Sequence, residues 1–465
     1  GVDRVGIHDA FFDLGGHSLK ATQILSRLRQ SFDVEVPLDR IFERPTVAGL
    51  AALIEECRQA GRNLPPIERI PRDPPPKLSF AQQRLWFLDQ LEPSSAYNIP
   101  AAVRIRGDLD PAVVERCIAA LVARHETLRT TFALIEGTPR QIVHPPEAWK
   151  IPVIRLDLSD LPEGEREQEA FAHAHAAAAK RFDLSEGPLL RVLLIRIDTS
   201  DHLLVLNMHH IVSDGWSLGV LIRELATLYP AGGDPSLLPP LPIQYADHAA
   251  WQRKVLAGET SDRLLAYWRK RLEGAPETLP LPTDKPRPAV QTFNGAVRLR
   301  RLAAPLLRQL EELSRQQEAT LFMTLLAAFD VLLYRYSGAS DIVVGTPISG
   351  RNRSEIEGLI GFFVNTLPLR ADLSGNPPFT DLLRQVRERA LEAYRHQDLP
   401  FERLIEALDL SRALSHSPLF QVMFILQNPL PPLEVPGLSF EPVPVESGGA
   451  KFDLTLSVAQ GPHGN

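Results

Sequence analysis

The chain has 465 residues, 44% of them hydrophobic and 23% charged, a composition typical of a globular protein with two to four folding units of about 100–200 residues each. Its formal net charge of −7 argues against a nucleic-acid-binding protein, because such a protein needs a basic excess to neutralise phosphates. Two cysteines, Cys57 and Cys117, are too few for a disulfide framework or a zinc cluster, and no apolar run approaches the ~20 residues that span a bilayer. We therefore expect a cytoplasmic protein that has neither nucleic acid nor a membrane as a partner.

The first predicted unit, residues 1–58, is a small all-α domain. Apolar side chains recur at helical spacing over residues 18–32, and a second helix is predicted from residue 46 to about 58, with Pro45 at its entrance. Residues 59–77 contain six prolines and many charges, so they cannot bury enough apolar surface to fold. We expect them to form an extended linker.

From residue 78 onward, helical and strand-like patterns alternate, which predicts a two-lobed α/β body. The predicted helices are 81–90, 111–124, 218–229, 261–272, 304–336 and 378–394, and the predicted strands are 189–197, 203–208, 342–345 and 420–427. A proline-rich stretch at 232–242 divides this body. We therefore expect an N-lobe over about 78–240 and a C-lobe over about 241–465.

Ser18 is a candidate functional residue of the first unit, since it follows two glycines and opens a predicted helix. Most serines in such a position are N-caps, and the alternative is a hydroxyl that the glycine turn exposes for modification. The segment FFDLGGHSL (11–19) closely resembles the attachment motif of peptidyl carrier domains. The resemblance covers about residues 1–58 and implies a covalent 4′-phosphopantetheine on Ser18, added by a phosphopantetheinyl transferase, in a domain truncated at its N-terminus. A phosphodiester there would meet free backbone N–H groups and the positive end of the helix dipole.

A second candidate is the segment MHHIVSDGWS (208–217), between a predicted strand and a predicted helix. Side chains alternate along a strand, so His209 and His210 cannot both face one side, and the spacing matches no zinc signature. We therefore predict no metal site. An isolated pair of this kind is ordinarily one core histidine with an exposed neighbour. Here Asp214 and Gly215 add a charge and a turn four residues on, which favours a functional site.

This segment strongly resembles the HHxxxDG signature of condensation domains from non-ribosomal peptide synthetases, which make secondary metabolites and share the fold of chloramphenicol acetyltransferase. Six further segments agree in the family's order: LSFAQQRLWFL (78–88), RHETLRTTF (124–132), YADHAAW (245–251), IGFFVNTLPLR (360–370), HQDLPFE (396–402) and SRALSHSPLFQVMF (411–424). The resemblance also implies that the chain is truncated after KFDLTLSV (451–458), where the family continues.

The resemblance assigns roles to the motif residues. It implies that His210 lies at the reacting centre and that His209 supports the loop. Asp214 would be mainly structural, paired with an arginine of the other lobe, and Arg335 and Arg351 are both candidates. Gly215 would keep a channel open and offer a backbone N–H near the reacting carbonyl.

The implied reaction is amide formation. The amine of an aminoacyl group on a downstream carrier would attack the thioester held on the upstream carrier, and an adenylation domain would be a further partner. An imidazole near neutral pKa can accept the proton of the amine or simply orient the amine, and the sequence leaves both open.

Several other functions share parts of this pattern. An epimerisation domain also follows a carrier and bears HHxxxDG, but FVNTLPLR, HQDLPFE and LSFAQQRLWFL resemble condensation domains more closely. A heterocyclising domain would carry an aspartate-rich version of the motif. A free-standing acyltransferase using coenzyme A is disfavoured by the linked carrier, and a non-catalytic carrier or docking segment by the intact motif. The form MHHIVSDGWS favours a domain that accepts an L-configured donor residue.

Overall fold

The structure is a computed structural model that describes residues 4–14, 16, 18–34, 36–60, 65–91, 94–409, 415–427, 434–445 and 448–459. Its N-terminal unit contains the helices α1 (Ser18–Phe32), α2 (Leu38–Glu43) and α3 (Val47–Ala60). The predicted bounds of α1 are confirmed, and α3 begins and ends within two residues of its prediction. A few buried aliphatic side chains form a small core between these helices: Val34, Val36, Leu53 and Ile54.

The remainder of the described chain alternates helices and strands, as predicted. The helices are α4 (Phe80–Leu91), α5 (Pro111–Arg124), α6 (Glu163–Ala179), α7 (Gly215–Leu228), α8 (Tyr245–Val255), α9 (Glu259–Leu272), α10 (Ala304–Gln316), α11 (Leu321–Ser337), α12 (Ser354–Glu357), α13 (Phe379–Arg395) and α14 (Phe401–Leu408). The strands are β1 (Asn98–Gly107), β2 (Thr130–Ile135), β3 (Thr138–Val143), β4 (Val153–Asp157), β5 (Leu190–Asp198), β6 (Asp201–His209), β7 (Asp341–Ile348), β8 (Asn365–Asp372), β9 (Val422–Gln427), β10 (Leu438–Val443) and β11 (Leu454–Ala459).

Two separate sheets give the body its two lobes. The N-lobe sheet has the strand order β10-β1-β6-β5-β4, and the C-lobe sheet has the order β11-β9-β7-β8. Each sheet has its own buried apolar core, in which helices α5 and α7 pack on the first sheet and helices α11 and α13 pack on the second. The predicted hairpin of β5 and β6 is confirmed, with the turn at residues 198–201.

One strand departs from the predicted division of the lobes. Strand β10, which lies within 241–465, pairs antiparallel with β1 in the N-lobe sheet, so the chain crosses back between the lobes. Strand β1 was not among the predicted strands, and it contains Pro100, a residue that a sheet tolerates at an edge because it cannot donate to a neighbouring strand. The structure shows how β1 accommodates this proline. Strand β10 pairs with β1 only from Ala102 to Gly107, so at Pro100 strand β1 has a neighbour on one side only, β6, and is an edge strand there.

The single helix predicted at 304–336 is wrong, because the chain forms two helices there. Helices α10 and α11 meet at an angle of 105°. Glu318 adopts a left-handed φ of 50° after α10, and the Thr320 hydroxyl then accepts a hydrogen bond from Met323 N and caps α11. Among the described residues, no single helix is long and apolar enough to cross a membrane, and this bent pair meets the length and composition test only when taken together.

The predicted linker forms neither a helix nor a strand over its described part, residues 65–77, and bends at 72–74, but it is bound to the body. The Arg69 guanidinium donates hydrogen bonds to the carbonyl oxygens of Leu241 and Pro242, and Arg72 bonds the buried Asp247 carboxylate at 2.7 Å. These contacts seat the segment on the body where the two lobes adjoin. Residues 61–64 lie outside the described part of the chain.

The N-terminal unit contacts the C-lobe through α2 and α13. The ring of Phe42 stacks on that of Tyr394 with 6.1 Å between centroids, and Arg395 Nη2 lies 2.8 Å from a carboxylate oxygen of Glu43. Helix α1 also contacts α12 of the C-lobe, so the unit rests on the body through two of its helices.

Candidate active site

The histidine motif lies where the β6 strand leaves the N-lobe sheet. Strand β6 ends at His209, a single 3₁₀ turn covers His210–Val212, and α7 begins at Gly215. The turn is held to the sheet because the His210 N–H donates to the carbonyl of Tyr97 at 2.8 Å. The sequence prediction that His210 stands at the end of a strand is confirmed.

The imidazole of His210 is oriented by its own turn. Its Nδ1 lies 2.9 Å from the carbonyl oxygen of Ser213, and a carbonyl only accepts, so Nδ1 carries the proton. The ring of Phe362, from the C-lobe, lies 4.6 Å away between centroids. Burial, then the positive charge of Lys451, lower the pKa of His210 well below its usual range. His210 is therefore neutral, with an unprotonated Nε2 available as an acceptor.

His209 is held in the opposite tautomer. Its Nδ1 accepts a hydrogen bond from Ile211 N at 3.1 Å, so the proton of the neutral ring is on Nε2. The side chain is buried against the rings of Tyr97 and Phe182. Burial and Lys451 lower the pKa of His209 to about 3. These contacts are those of a side chain that supports the turn.

Asp214 is fully buried and caps helix α7. One carboxylate oxygen accepts from Ser217 N at 2.7 Å and lies 3.3 Å from Arg351 Nη2, and the other accepts from Phe363 N at 2.9 Å. Of the two predicted arginine partners, Arg351 is therefore the one that pairs with Asp214, whereas Arg335 lies exposed on α11. The carboxylate thus joins the two lobes directly behind the histidine turn.

Arg351 is itself fully buried and makes several contacts. Its Nη1 donates to the carbonyl oxygens of Ile356 and Leu359, and its Nη2 donates to the Ser217 hydroxyl at 2.7 Å. The guanidinium lies over the ring of Phe363, 4.0 Å from the ring centroid. Carbonyls, a carboxylate and a π face compensate this buried cation, while its Nε has no acceptor among the described residues.

A C-lobe loop, residues 360–363, completes the junction. The Ser217 hydroxyl donates to Gly361 O and accepts from Gly361 N, and the Thr127 hydroxyl donates to Ile360 O. Gly361 has to be glycine, because a Cβ would lie 2.1 Å from the ring of Tyr245. This close approach places Phe362 against His210, a contact between lobes that no local pattern predicts.

Gly215, the first residue of α7, lies exposed beside His210. A Cβ at this position would meet no atom within 4 Å, so packing does not explain the glycine. Its N–H is one of the helix N-terminal donors that have no intrahelical acceptor. A side chain at residue 215 would instead project into the open space at the turn.

Ser18 is the first residue of α1, as predicted, and Gly15 and His17 of its motif lie outside the described residues. The first turn of α1 contains no acidic residue that would repel an anion. Gly16 donates its N–H to Phe11 O at 2.9 Å, and a Cβ there would lie 2.4 Å from that oxygen. The N-terminus of α1 therefore has no carboxylate in its first turn and follows a tight turn at Gly16, an environment that favours the negative charge of the phosphodiester of 4′-phosphopantetheine.

Two residues that lie next to the motif histidines were not predicted from the sequence. Tyr97 precedes β1, and its carbonyl accepts the hydrogen bond from His210 N–H. The Lys451 ammonium lies 5.3 Å from the centroid of the Tyr97 ring. Lys451 belongs to KFDLTLSV, a segment to which the sequence assigned no role at the site. No local pattern marks either residue, because both reach the histidines through tertiary contacts.

Comparison with known protein families gives two matches. Residues 76–464 match the family described as Condensation domain, and residues 1–54 match the family described as Phosphopantetheine attachment site. The chain is 52% identical over 471 aligned residues to one of the proteins that make up the linear gramicidin synthase of Brevibacillus parabrevis. That alignment covers 100% of this chain and 6% of the relative, so the chain spans a small part of the relative's length.

Two solved structures are also similar to this chain. The X-domain from teicoplanin biosynthesis has a TM-score of 0.77 at 29% identity, covering 86% of this chain and 89% of that one. The first condensation domain of the calcium-dependent antibiotic synthetase, in complex with a substrate analogue, has a TM-score of 0.68 at 25% identity, covering 82% of this chain and 87% of that one. Both agree with the two-lobed α/β architecture described above.

Proposed function

We propose which residues of this chain carry out its reaction and in which direction the reaction runs. The chain belongs to the condensation domain family of non-ribosomal peptide synthetases, which are amide-forming acyltransferases, and its condensation domain follows a phosphopantetheine attachment domain. Ser18 is the attachment residue, and the acyl group that it holds is the donor. The acceptor is the amine of an aminoacyl group on a carrier downstream. His210 is the residue that contacts the amine.

The observation that carries this proposal is the fixed tautomer of His210. With Nδ1 donating to Ser213 O, the lone pair of Nε2 points away from the turn, and the low pKa keeps the ring neutral at the pH of a cell. Such a ring accepts a hydrogen bond from the attacking amine and orients the nitrogen lone pair toward the carbonyl. Its low basicity favours orientation over full removal of the proton.

Asp214 and Gly215 act in different ways. We assign Asp214 to the structure, since its oxygens accept from Ser217 and Phe363 and pair with Arg351. Gly215 keeps the space before His210 free and directs its N–H toward the reacting carbonyl. His209 supports the turn by accepting from Ile211 N.

The cofactor supplies a thiol on a long arm, which holds the acyl group as a thioester. Residues 1–58 form the carrier, residues 59–77 the linker, and residues 78–465 the condensation body. An adenylation domain supplies the activated amino acid and a phosphopantetheinyl transferase modifies Ser18. We propose the cytoplasm as the location, where the free thiols of Cys57 and Cys117 remain reduced.

The attachment step is tested by intact mass. Incubation with a phosphopantetheinyl transferase and coenzyme A should add one arm to the wild-type chain and none to Ser18→Ala. Ser31→Ala, an exposed serine near the other end of α1, is the matched control and should gain one arm. Modification of Ser18→Ala would refute the assignment.

The reaction is tested with the chain loaded on Ser18. Aminoacyl-coenzyme A conjugates of alanine, leucine and phenylalanine provide donors, and the corresponding aminoacyl N-acetylcysteamine thioesters provide acceptors. Dipeptide should appear by mass spectrometry with wild type and fall to background with His210→Ala. Equal dipeptide yields from both proteins would exclude His210 from the reaction.

A further inference from the structure

Lys451 is brought to the histidine turn by a short backbone pairing in the C-lobe. Gly295 N donates to Gly448 O at 2.9 Å, and Ala450 N donates to Phe293 O at 2.7 Å. Gly295 allows this approach, because a Cβ there would lie 2.6 Å from the Cβ of Ala450. The backbone on the N-terminal side of Lys451 is therefore fixed.

The two residues after Lys451 are also held in place. The ring of Phe452 stacks on Phe420 with 5.6 Å between centroids, and the carboxylate of Asp453 pairs with Arg287. The backbone is thus anchored on both sides of Lys451 while its side chain extends toward the N-lobe.

The Lys451 ammonium has no anionic partner in the part of the chain that the structure describes. It contacts the ring of Tyr97, and it lies close enough to lower the pKa of both His209 and His210. The side chain is partly buried, and burial lowers the pKa of Lys451 to about 8, so it remains mostly protonated at pH 7. An unpaired and partly desolvated cation is unfavourable, and such groups concentrate at functional sites.

The site thus holds a neutral acceptor and a cation whose nearest common neighbour is Tyr97, since the carbonyl of Tyr97 binds the His210 N–H and its ring contacts the Lys451 ammonium. The nearest carboxylate of the motif, Asp214, is already bonded to Arg351 and two backbone N–H groups. A transition state in which an oxygen becomes negative is complementary to this arrangement, because a preoriented donor stabilises that charge most strongly where water is excluded.

We propose that Lys451 is a further catalytic residue, whose ammonium donates a hydrogen bond to the carbonyl oxygen of the donor thioester as the amine attacks. This inference rests on the proposed function. The C–N bond forms, the C–S bond breaks and the proton of the amine ends on the released thiol. Lys451 keeps its three protons throughout and forms no covalent bond.

The inference is tested with the full chain, loaded on Ser18 as above, in single-turnover reactions. Lys451→Met keeps the length of the side chain and removes the charge, and should lower the rate by ~10²-fold, the usual loss for one such donor. Lys451→Arg should restore at least a tenth of the wild-type rate. Lys285→Met, an exposed lysine of a C-lobe loop, is the matched control and should not change it.

A second measurement uses the unloaded chain and therefore needs no activity. In a protein labelled with ¹³C at the histidine ring, Lys451→Met should raise the pKa of His210, assigned by comparison with His210→Ala. The other titratable groups facing this region are His209, Tyr97 and the Arg84–Glu402 pair beside Tyr97, all unchanged in the variant. Lys285→Met should leave the His210 titration where it is in wild type.

The outcomes separate the two proposals. Absence of dipeptide with wild type would overturn the proposed function. Active wild type and inactive His210→Ala, together with a Lys451→Met rate within twofold of wild type, would overturn the role of Lys451 alone. An unchanged His210 titration would likewise show that the ammonium does not reach the site. Equal melting temperatures for Lys451→Met and Lys451→Arg exclude unfolding as the cause of a lower rate.

Discussion

Replacing Asp214 by alanine should destabilise the body as well as stop catalysis, because its carboxylate has three buried partners. Loss of the cap on Ser217 N costs about 1 kcal/mol, and the orphaned Phe363 N–H costs about 1–3 kcal/mol. Leaving the Arg351 charge without its carboxylate costs about 3–5 kcal/mol, reduced by the carbonyls that still bind it. Since these effects overlap, we expect a total of about 5 kcal/mol.

This free energy corresponds to a measurable shift in melting temperature. Unfolding entropy is about 2.1 cal/mol/K per residue, which for a body of about 390 residues gives about 0.8 kcal/mol/K and a shift on the order of 6 °C. Thermal unfolding followed by circular dichroism measures it. Asp234→Ala removes an exposed aspartate cap from a 3₁₀ turn and should shift the melting temperature by no more than about 1 °C.

A double variant isolates the ion pair. Asp214→Ala combined with Arg351→Met removes both buried charges, so it should be less destabilised than the sum of the two single variants. The structural assignment fails if Asp214→Ala melts within 1 °C of wild type and is nevertheless as inactive as His210→Ala. In that case Asp214 takes part in the chemistry.

The other predictions concern the histidines and the glycine of the motif. Because His210 orients the amine, His210→Ala should lower the single-turnover rate by ~10²-fold with little change in melting temperature. Since the pKa of His210 is low, protonation of this side chain should not lower the wild-type rate between pH 7 and 6, and a decline that His210→Ala removes would contradict this. Burial lowers the pKa of both His209 and His248 to about 3, so below pH 6.5 these two histidines bind protons in the unfolded chain but not in the folded chain. Their contribution to stability is therefore complete above pH 6.5, and the free energy of unfolding, measured by urea titration, should fall by ~2 kcal/mol per histidine between pH 7 and 5. Equal free energies of unfolding at the two pH values would refute this prediction. Gly215→Ala should fold as well as wild type, since its Cβ meets no atom within 4 Å, and Gly215→Leu should lose activity without losing stability; an active Gly215→Leu would remove the need for open space there.

Local sequence patterns determined the parts of this protein that depend on neighbouring residues. The bounds of α1, the hairpin of β5 and β6 and the position of His210 at a strand end all follow from periodicity and turn residues, which act over a few residues. The start of α7 was placed three residues late, at 218, because the Asp214 cap lies outside the apolar periodicity of the helix. The motif around Ser18 was informative for the same reason, since a glycine turn before a helix start is a local arrangement.

Tertiary structure decided everything that joins distant segments. Arg335 and Arg351 could not be separated by sequence, and only the loop after β7 brings Arg351 to Asp214, 137 residues away. The return of β10 to the N-lobe sheet and the bend between α10 and α11 likewise depend on which surface each segment packs against. Lys451 reaches Tyr97 and the motif histidines for the same reason: the pairing of residues 448–450 with 293–295 fixes its backbone, and a contact between segments so far apart leaves no periodic signal in the chain.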